Sequence, residues 1–110
     1  MSEFAAYLDE VFSEFGPITV KRMFGGAGVF HDGLMFGLVA DDTLYLKADA
    51  QSVAEFERRD LAQFMYRKNG QEIGMSYYLA PDDAMEDPTE MRRWARLAFD
   101  AALRAKKSSR

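Results

Sequence analysis

The sequence predicts an α+β fold of two layers, in which an antiparallel sheet of five strands carries helices mainly on one face. Three observations support this prediction. Asp32-Gly33 and Asn69-Gly70 each lie between apolar runs, which is the pattern of a two-residue hairpin turn. The segment 87–90, Asp-Pro-Thr-Glu, has the N-cap, the proline and the acid of a helix start. Hairpins and helices in separate runs indicate α+β rather than parallel βαβ order.

The first half of the chain predicts one helix and a three-stranded meander. Apolar residues recur at helical spacing between Glu3 and Phe15, and Gly16-Pro17 then ends the helix. A strand from Ile18 to Phe24 leads into the meander, which spans Lys21 to Lys47 and has Leu34–Ala40 as its inner strand.

The second half predicts a short helix, a hairpin and a long helix. The short helix covers Asp49 to Arg59, and the hairpin pairs Phe64–Lys68 with Gln71–Leu79 across Asn69-Gly70. Pro81 to Glu86 connects the hairpin to the last helix. That helix presents an apolar stripe, with a buried tryptophan, that should pack on the sheet: Met91, Trp94, Leu97, Ala98, Ala101 and Ala105.

The turns predict which side chains share a face of the sheet. The pairs that follow from a two-residue turn at Asp32-Gly33 are Phe30 with Met35, Val29 with Phe36 and Gly28 with Gly37. With a second turn at Asp41-Asp42, the face expected under the helices carries Gly26, Gly28, Phe30, Met35, Gly37, Val39, Leu44 and Leu46. The other face carries Val29, His31, Leu34, Phe36, Leu38, Tyr45 and Lys47. Stacked glycines favour close packing by a backbone or a ring over ligand binding.

This second face predicts self-association. Three short helices are too few to cover both sides of a sheet, and a monomer seldom exposes a large apolar patch. Either the segment 60–63 shields the face, or a second copy covers it as a homodimer about a two-fold axis. The homodimer is the favoured interpretation, with Phe36→Glu as the variant expected to disrupt it.

Composition describes one domain, residues 1–105, followed by a disordered basic tail, residues 106–110. The chain has no cysteine and one histidine, so disulfides are excluded and neither a metal nor a cofactor is expected. No apolar run approaches the ~20 residues that span a bilayer, so no membrane association is expected. No signal peptide is visible either, and a cytoplasmic location is therefore expected.

Charge is distributed unevenly along the chain. Residues 1–91 hold seven basic and seventeen acidic groups, whereas residues 92–110 hold seven basic groups and one acidic group. The acidic body argues against direct nucleic-acid binding, because such binding needs a basic surface that displaces counterions.

No catalytic motif is found. Gly26-Ala27-Gly28 lacks the third glycine and the following helix of a dinucleotide-binding loop. His31, the single imidazole, directly precedes a hairpin turn and is expected to be exposed. Arg22 is expected to pair with a carboxylate rather than to bind phosphate.

Several short motifs occur in one order: Arg22-Met23-Phe24-Gly25-Gly26-x-Gly28, Met35-Phe36-Gly37-Leu38, Leu44-Tyr45-Leu46-Lys47, Met75-Ser76-Tyr77-Tyr78 and Trp94-Ala95. With these motifs the chain resembles the N-terminal domain of the TfoX/Sxy family over nearly its whole length. The resemblance implies a bacterial regulator of natural competence, without catalytic residues, that helps the cyclic-AMP receptor protein at a subset of promoters. The sequence ends where two-domain members continue into a C-terminal helical domain. The candidate functional or interaction residues are Arg22, Phe24, Gly25, Gly26, Gly28, Phe36, Tyr45, Tyr77 and Tyr78.

The predicted function is therefore a non-enzymatic regulatory or protein-interaction domain, whose partner would be a transcription factor of the cyclic-AMP receptor class. Two alternatives stay open. One is a small-molecule-sensing module that uses the glycine-lined face of the sheet. The other is an enzyme built around His31 and Arg22, which predicts a deep pocket that joins His31 to another polar group.

Overall fold

The computed structural model describes residues 2–23 and 25–108 and has the predicted α+β architecture. Its elements in chain order are α1 (Ser2–Val11), β1 (Thr19–Met23), β2 (Gly26–His31), β3 (Leu34–Ala40), β4 (Thr43–Lys47), α2 (Val53–Glu57), β5 (Gln63–Lys68), β6 (Gln71–Leu79), α3 (Asp82–Met85) and α4 (Pro88–Ser108). Within the described residues the strands form one antiparallel sheet in the order β1-β2-β3-β4-β6-β5.

The sheet has six strands in the described part of the chain, one more than predicted. The expected first strand of the meander divides into β1 and β2, because the chain reverses between Met23 and Gly26, which are paired. Gly25 adopts a φ of 78° at this reversal, a left-handed conformation that glycine reaches without steric cost. The glycines were therefore the signal of a turn as well as of a strand.

A β-bulge changes the register between β2 and β3. Phe30 is opposite Met35, as predicted, but Val29 is opposite Gly37 and not Phe36. Gly28 is opposite Leu38, so the predicted pair of Gly28 with Gly37 is wrong too. One residue of β3 is unpaired at such a bulge, and every pair beyond it is shifted by one position.

The bulge exchanges the faces of part of the sheet. Val29 and Phe36 were expected on the uncovered face, yet both are fully buried in the core with the helices. Phe30 and Met35 were expected under the helices, yet they are only half-buried and lie beside Gly28 on the other face. For the pairing of β3 with β4 the prediction is confirmed, since the Val39–Leu44 and Gly37–Leu46 pairs form, and Val39, Leu44 and Leu46 are in the core.

Aromatic rings from α1, β3 and α4 meet at the centre of the core. The Phe36 ring lies 5.4 Å from that of Phe12, 5.3 Å from that of Phe15 and 6.1 Å from that of Phe99, measured between centroids. Helix α1 ends at Val11, earlier than the predicted Phe15, and a series of turns carries the chain onward. The phenylalanine spacing predicted the buried face correctly and the length of the helix wrongly.

Helix α4 packs across β3 and β4 and buries Trp94 to 1% exposure, as predicted. Asp87 caps this helix by accepting a hydrogen bond from the Thr89 amide at 3.0 Å. The helix extends to Ser108, so residues 106–108 are helical rather than part of a disordered tail, and residues 109 and 110 lie outside the described chain. No helix in the described residues is both long and apolar enough to cross a bilayer.

An ion pair between residues 55 positions apart joins the end of β4 to the end of α4. Arg104 donates from Nε to Asp49 Oδ2 at 2.7 Å and from Nη2 to Asp49 Oδ1 at 2.9 Å. Asp49 Oδ1 also accepts hydrogen bonds from the amides of Gln51 and Ser52. These bonds, with Arg104 as the first cause, lower the pKa of Asp49 to about 2.

Candidate interaction surface

The helices cover one face of the sheet, and the strands expose a second face, here called the open face. Register places Tyr45 opposite Leu79 and Lys47 opposite Tyr77 on this face, across the junction of β4 and β6. The rings of Tyr45 and Phe64 pack edge to face with centroids 5.0 Å apart. Tyr77 is 7% exposed, and its burial raises the pKa of its hydroxyl.

Strand β5 forms one edge of the sheet and leaves two adjacent large apolar side chains in solvent. Met65 is 45% exposed and Tyr66 is 39% exposed, and as neighbours in a strand they point to opposite faces. The other edge, β1, carries Lys21 and Arg22 at its exposed positions. Strand β5 also carries two exposed basic residues, Arg67 and Lys68, so the two edges differ in the exposed apolar pair of β5 and not in charge.

A groove of about 570 Å³ crosses the open face between β5 and the turn that joins β1 to β2. Its wall near the turn consists of Met23, Gly25 and Gly26. The residues that line the rest of the groove are Leu38, Val39, Ala40, Phe64, Tyr66, Lys68 and Met75. The groove is thus apolar, with one basic side chain.

The candidate glycines permit close packing at this end of the sheet. A Cβ on Gly26 would lie 2.2 Å from the Val39 carbonyl oxygen, so no larger residue fits without movement of the backbone. A Cβ on Gly28 would lie 2.9 Å from the Phe30 ring and 3.0 Å from the Met35 sulfur. The side chains of the open face therefore close over Gly28.

Arg22 has an exposed side chain and does not form the predicted ion pair. It lines a cleft of about 320 Å³ with Phe4, Asp41 and Asp42, but no carboxylate of the described residues comes within 4.0 Å of it. Asp41 and Asp42 lie in the β3–β4 turn, where both adopt a φ of 53°.

His31 is largely buried instead of exposed, with 13% of its side chain accessible. Its ring lies between those of Phe15 and Phe99, at centroid distances of 4.6 and 5.0 Å. Nδ1 lies 2.7 Å from the Pro17 carbonyl oxygen, so it donates a hydrogen bond there. The imidazole is therefore a packed side chain that ties β2 to the loop after α1.

His31 and Arg22 do not share a site. Arg22 is opposite Ala27, four residues from His31 along β2, which corresponds to about 13 Å at the usual rise of a strand. The cleft that Arg22 lines does not include His31. In residues 2–23 and 25–108, no group of three or more histidine or acidic side chains is arranged to hold a metal ion.

The other candidate residues divide between the two faces. Phe36 is in the core, so Phe36→Glu would disrupt folding rather than a dimer. Tyr78 packs on the helix side with its ring 5.5 Å from that of Phe56. Tyr45 and Tyr77 are on the open face, and Phe24 lies outside the described residues.

Comparison with known proteins identifies the family. The model of the TfoX N-terminal domain matches residues 10–102. The chain belongs to this family. Protein Sxy of Escherichia coli (strain K12) is 27% identical over 97 residues, which are 88% of this chain and 46% of that protein. DNA transformation protein TfoX1 of Aliivibrio fischeri (strain ATCC 700601 / ES114) is 31% identical over 77 residues, which are 66% of this chain and 37% of that protein. The chain spans less than half the length of each relative.

The TfoX N-terminal domain match runs from Glu10 in α1 to Ala102 in α4. It therefore includes every strand of the described sheet, both edges and the groove. The predicted resemblance to the TfoX/Sxy family is confirmed, and it covers the whole candidate surface.

Sequence reasoning missed Met65 and Lys68 as parts of this TfoX N-terminal domain surface. One signal was present, because Phe64, Met65 and Tyr66 are consecutive apolar residues that break the alternation of a half-buried strand. No comparable signal marked Lys68, since its place beside the β1–β2 turn depends on the curvature of the sheet.

Proposed function

We propose that this TfoX N-terminal domain is a non-enzymatic, cytoplasmic regulatory domain that acts by binding a protein partner along strand β5. Its similarity to a relative named as a DNA transformation protein supports a role in the regulation of natural competence. The first partner to test is a transcription factor of the cyclic-AMP receptor class, which the family resemblance implies.

The exposure of Met65 and Tyr66 on an edge strand is the observation that carries this proposal. An edge strand presents unpaired backbone N–H and C=O groups, and an extended segment of a partner can add to it as a further strand. Exposed side chains on both faces of β5 would then contact the partner on both sides of the new strand. The other edge, β1, has no exposed large apolar side chain in the described structure.

Met65→Glu tests the β5 contact without changing the groove, because Met65 does not line it. We expect this variant to weaken binding to the transcription factor by about tenfold or more, as for a central apolar contact of an interface. Biolayer interferometry with the purified factor from the same bacterium, with and without cyclic AMP, measures the affinity. Leu103→Glu is the matched control, since Leu103 is 39% exposed on α4.

Equal binding by wild type and Met65→Glu, or an equal loss in Leu103→Glu, would contradict the β5 contact. Thermal melts of both variants must match the wild type, so that misfolding is not taken for lost binding. A wild-type protein that binds no factor of this class would exclude the proposed partner.

A second copy of the chain is the competing occupant of β5. Antiparallel pairing of two β5 strands about a two-fold axis at Tyr66 would place Arg67 opposite Met65 and Lys68 opposite Phe64 of the second copy, so like charges would not meet. Light scattering at micromolar concentration distinguishes this dimer: a wild-type dimer that Met65→Glu converts to a monomer would assign β5 to self-association.

A small-molecule sensor is the second candidate function. The groove on the open face supports it, since a volume of about 570 Å³ and a mainly apolar lining are typical of small-molecule sites.

A further inference from the structure

The open face of the sheet carries basic strand residues, and the single acidic strand residue of the described chain lies on the other face. Glu72 is the one acid among the described strand residues, and it pairs with Arg67 at 3.2 Å, on the face opposite to Tyr66. The lysines at open-face positions are Lys21, Lys47 and Lys68. A protein of formal net charge −4 thus has an open face with basic and no acidic strand residues.

Two of these lysines already have contacts. Lys21 Nζ lies 5.0 Å from the centroid of the Phe30 ring. Lys47 Nζ donates to Ser76 Oγ at 3.2 Å and lies 5.1 Å from the Tyr77 ring. The side chain of Lys68 forms no hydrogen bond, ion pair or ring contact with any described residue, and Lys68 is the lysine that lines the groove.

The groove therefore offers an apolar surface for the hydrocarbon part of a ligand, next to one unpaired cation, Lys68. Leu38, Phe64 and Met75 supply apolar surface, and the absence of side chains at Gly25 and Gly26 leaves the wall near the turn low. We propose that the groove binds an apolar monoanion, a small molecule with a hydrocarbon body and one carboxylate, whose carboxylate pairs with Lys68. This inference deepens the sensor candidate and shares Tyr66 with the proposed β5 contact, but its test uses no protein partner.

The arrangement of the rings argues against single-stranded nucleic acid as the occupant. Bases bind to sheets by stacking on open ring faces. Tyr45 and Phe64 instead pack against each other, and lysines lie over Phe30 and Tyr77. Tyr66 is exposed beside the groove, but a single ring cannot stack successive bases. A hydrocarbon needs contact area and no open ring face, so it suits this surface better.

Titration with octanoate, followed by ¹H–¹⁵N correlation spectra, tests the proposal. We expect shifts at Leu38, Ala40 and Lys68, and binding up to about fifteenfold tighter than that of hexanoate if both extra methylenes are buried. We expect 1-octanol and octylammonium to bind more weakly than octanoate.

Variants separate the charge from the apolar groove. Lys68→Gln should weaken octanoate by about two- to fivefold, as expected for a solvent-accessible ion pair, and leave 1-octanol unchanged. Lys107→Gln is the matched control, because Lys107 is an exposed lysine on α4, and it should change the affinity for neither octanoate nor 1-octanol. Ala40→Phe should fill the groove and abolish the binding of both octanoate and 1-octanol. A native circular dichroism spectrum of this variant is the folding control.

The outcomes distinguish this inference from the sensor candidate. Equal binding of octanoate, 1-octanol and octylammonium in the groove would overturn the anion preference and leave a neutral apolar sensor. Shifts outside the groove, or none with any of the three compounds, would overturn both. If a short oligonucleotide changed the chemical shifts of the same residues, nucleic acid and not the monoanion would be the ligand of the groove.

Discussion

Replacing Arg104 by methionine should destabilise the protein at neutral pH and leave it unchanged in strong acid. The variant keeps an unbranched side chain and removes both hydrogen bonds to Asp49. The pKa of Asp49 falls from 3.8 to about 2, with Arg104 as the first cause and hydrogen bonds from Ser52 and Gln51 contributing, and the full shift corresponds to about 2 kcal/mol. The Asp49 side chain is 27% and that of Arg104 34% exposed, so solvent screening reduces our expectation to about 1 kcal/mol.

The pH dependence follows from the sign of this shift. A carboxyl group whose pKa is lowered by folding stabilises the folded state above its unfolded pKa, and that contribution disappears as the pH falls from about 4 to about 2. Urea unfolding of wild type and Arg104→Met at several pH values between 7 and 2 measures it. The two free energies of unfolding should differ by about 1 kcal/mol at pH 7 and converge near pH 2.

Two comparisons make the test specific. Asp49→Asn keeps an oxygen that can accept hydrogen bonds from the Gln51 and Ser52 amides. A double-mutant cycle of Asp49→Asn with Arg104→Met therefore isolates the free energy of the ion pair. Arg96→Met, which removes an exposed ion pair on the same helix, should cost less than about 0.5 kcal/mol. A difference between wild type and Arg104→Met that stays constant from pH 7 to pH 2 would refute the reasoning.

Two further predictions concern packing, both measured by chemical unfolding. Phe36→Ala should cost about 3–5 kcal/mol, because it removes the ring at the centre of the aromatic core; a loss below 1 kcal/mol would place Phe36 outside that core. Gly26→Ala should cost about 1–3 kcal/mol, because its Cβ would meet the Val39 carbonyl oxygen, whereas Gly74→Ala meets only the flexible Gln63 side chain and should change stability by less than about 0.5 kcal/mol. Equal costs for the two alanines would contradict the close approach at Gly26.

Local signals in the sequence predicted most of the fold. The turns at Asp32-Gly33, Asp41-Asp42 and Asn69-Gly70 form where expected, since each needs residues that tolerate positive φ. The predicted hairpin across Asn69-Gly70 forms as well, with Arg67 opposite Glu72. These features depend on a few neighbouring residues, which the sequence displays directly.

The bulge at β3 had no local signal, because any register of an apolar strand satisfies the alternation pattern equally well. The structure selects the register in which Phe36 reaches Phe12, Phe15 and Phe99, residues that are distant in sequence. The same reason applies to the candidate surface. Pairing of Arg104 with Asp49, and the position of Lys68 across the groove, depend on tertiary contacts.

The strand order has a consequence for how the chain reaches its native state. Most neighbouring strands in the described sheet are also neighbours in sequence, so they can pair after closing a loop of a few residues. The junction of β4 with β6 is different, since α2 and β5 intervene. Forming this junction therefore requires the closure of a long loop, which has a larger entropic cost than a hairpin turn. The pairs formed there are Tyr45 with Leu79, Leu46 with Tyr78 and Lys47 with Tyr77. Because non-local pairing slows folding, we expect the docking of the β5–β6 hairpin onto the meander to limit the folding rate.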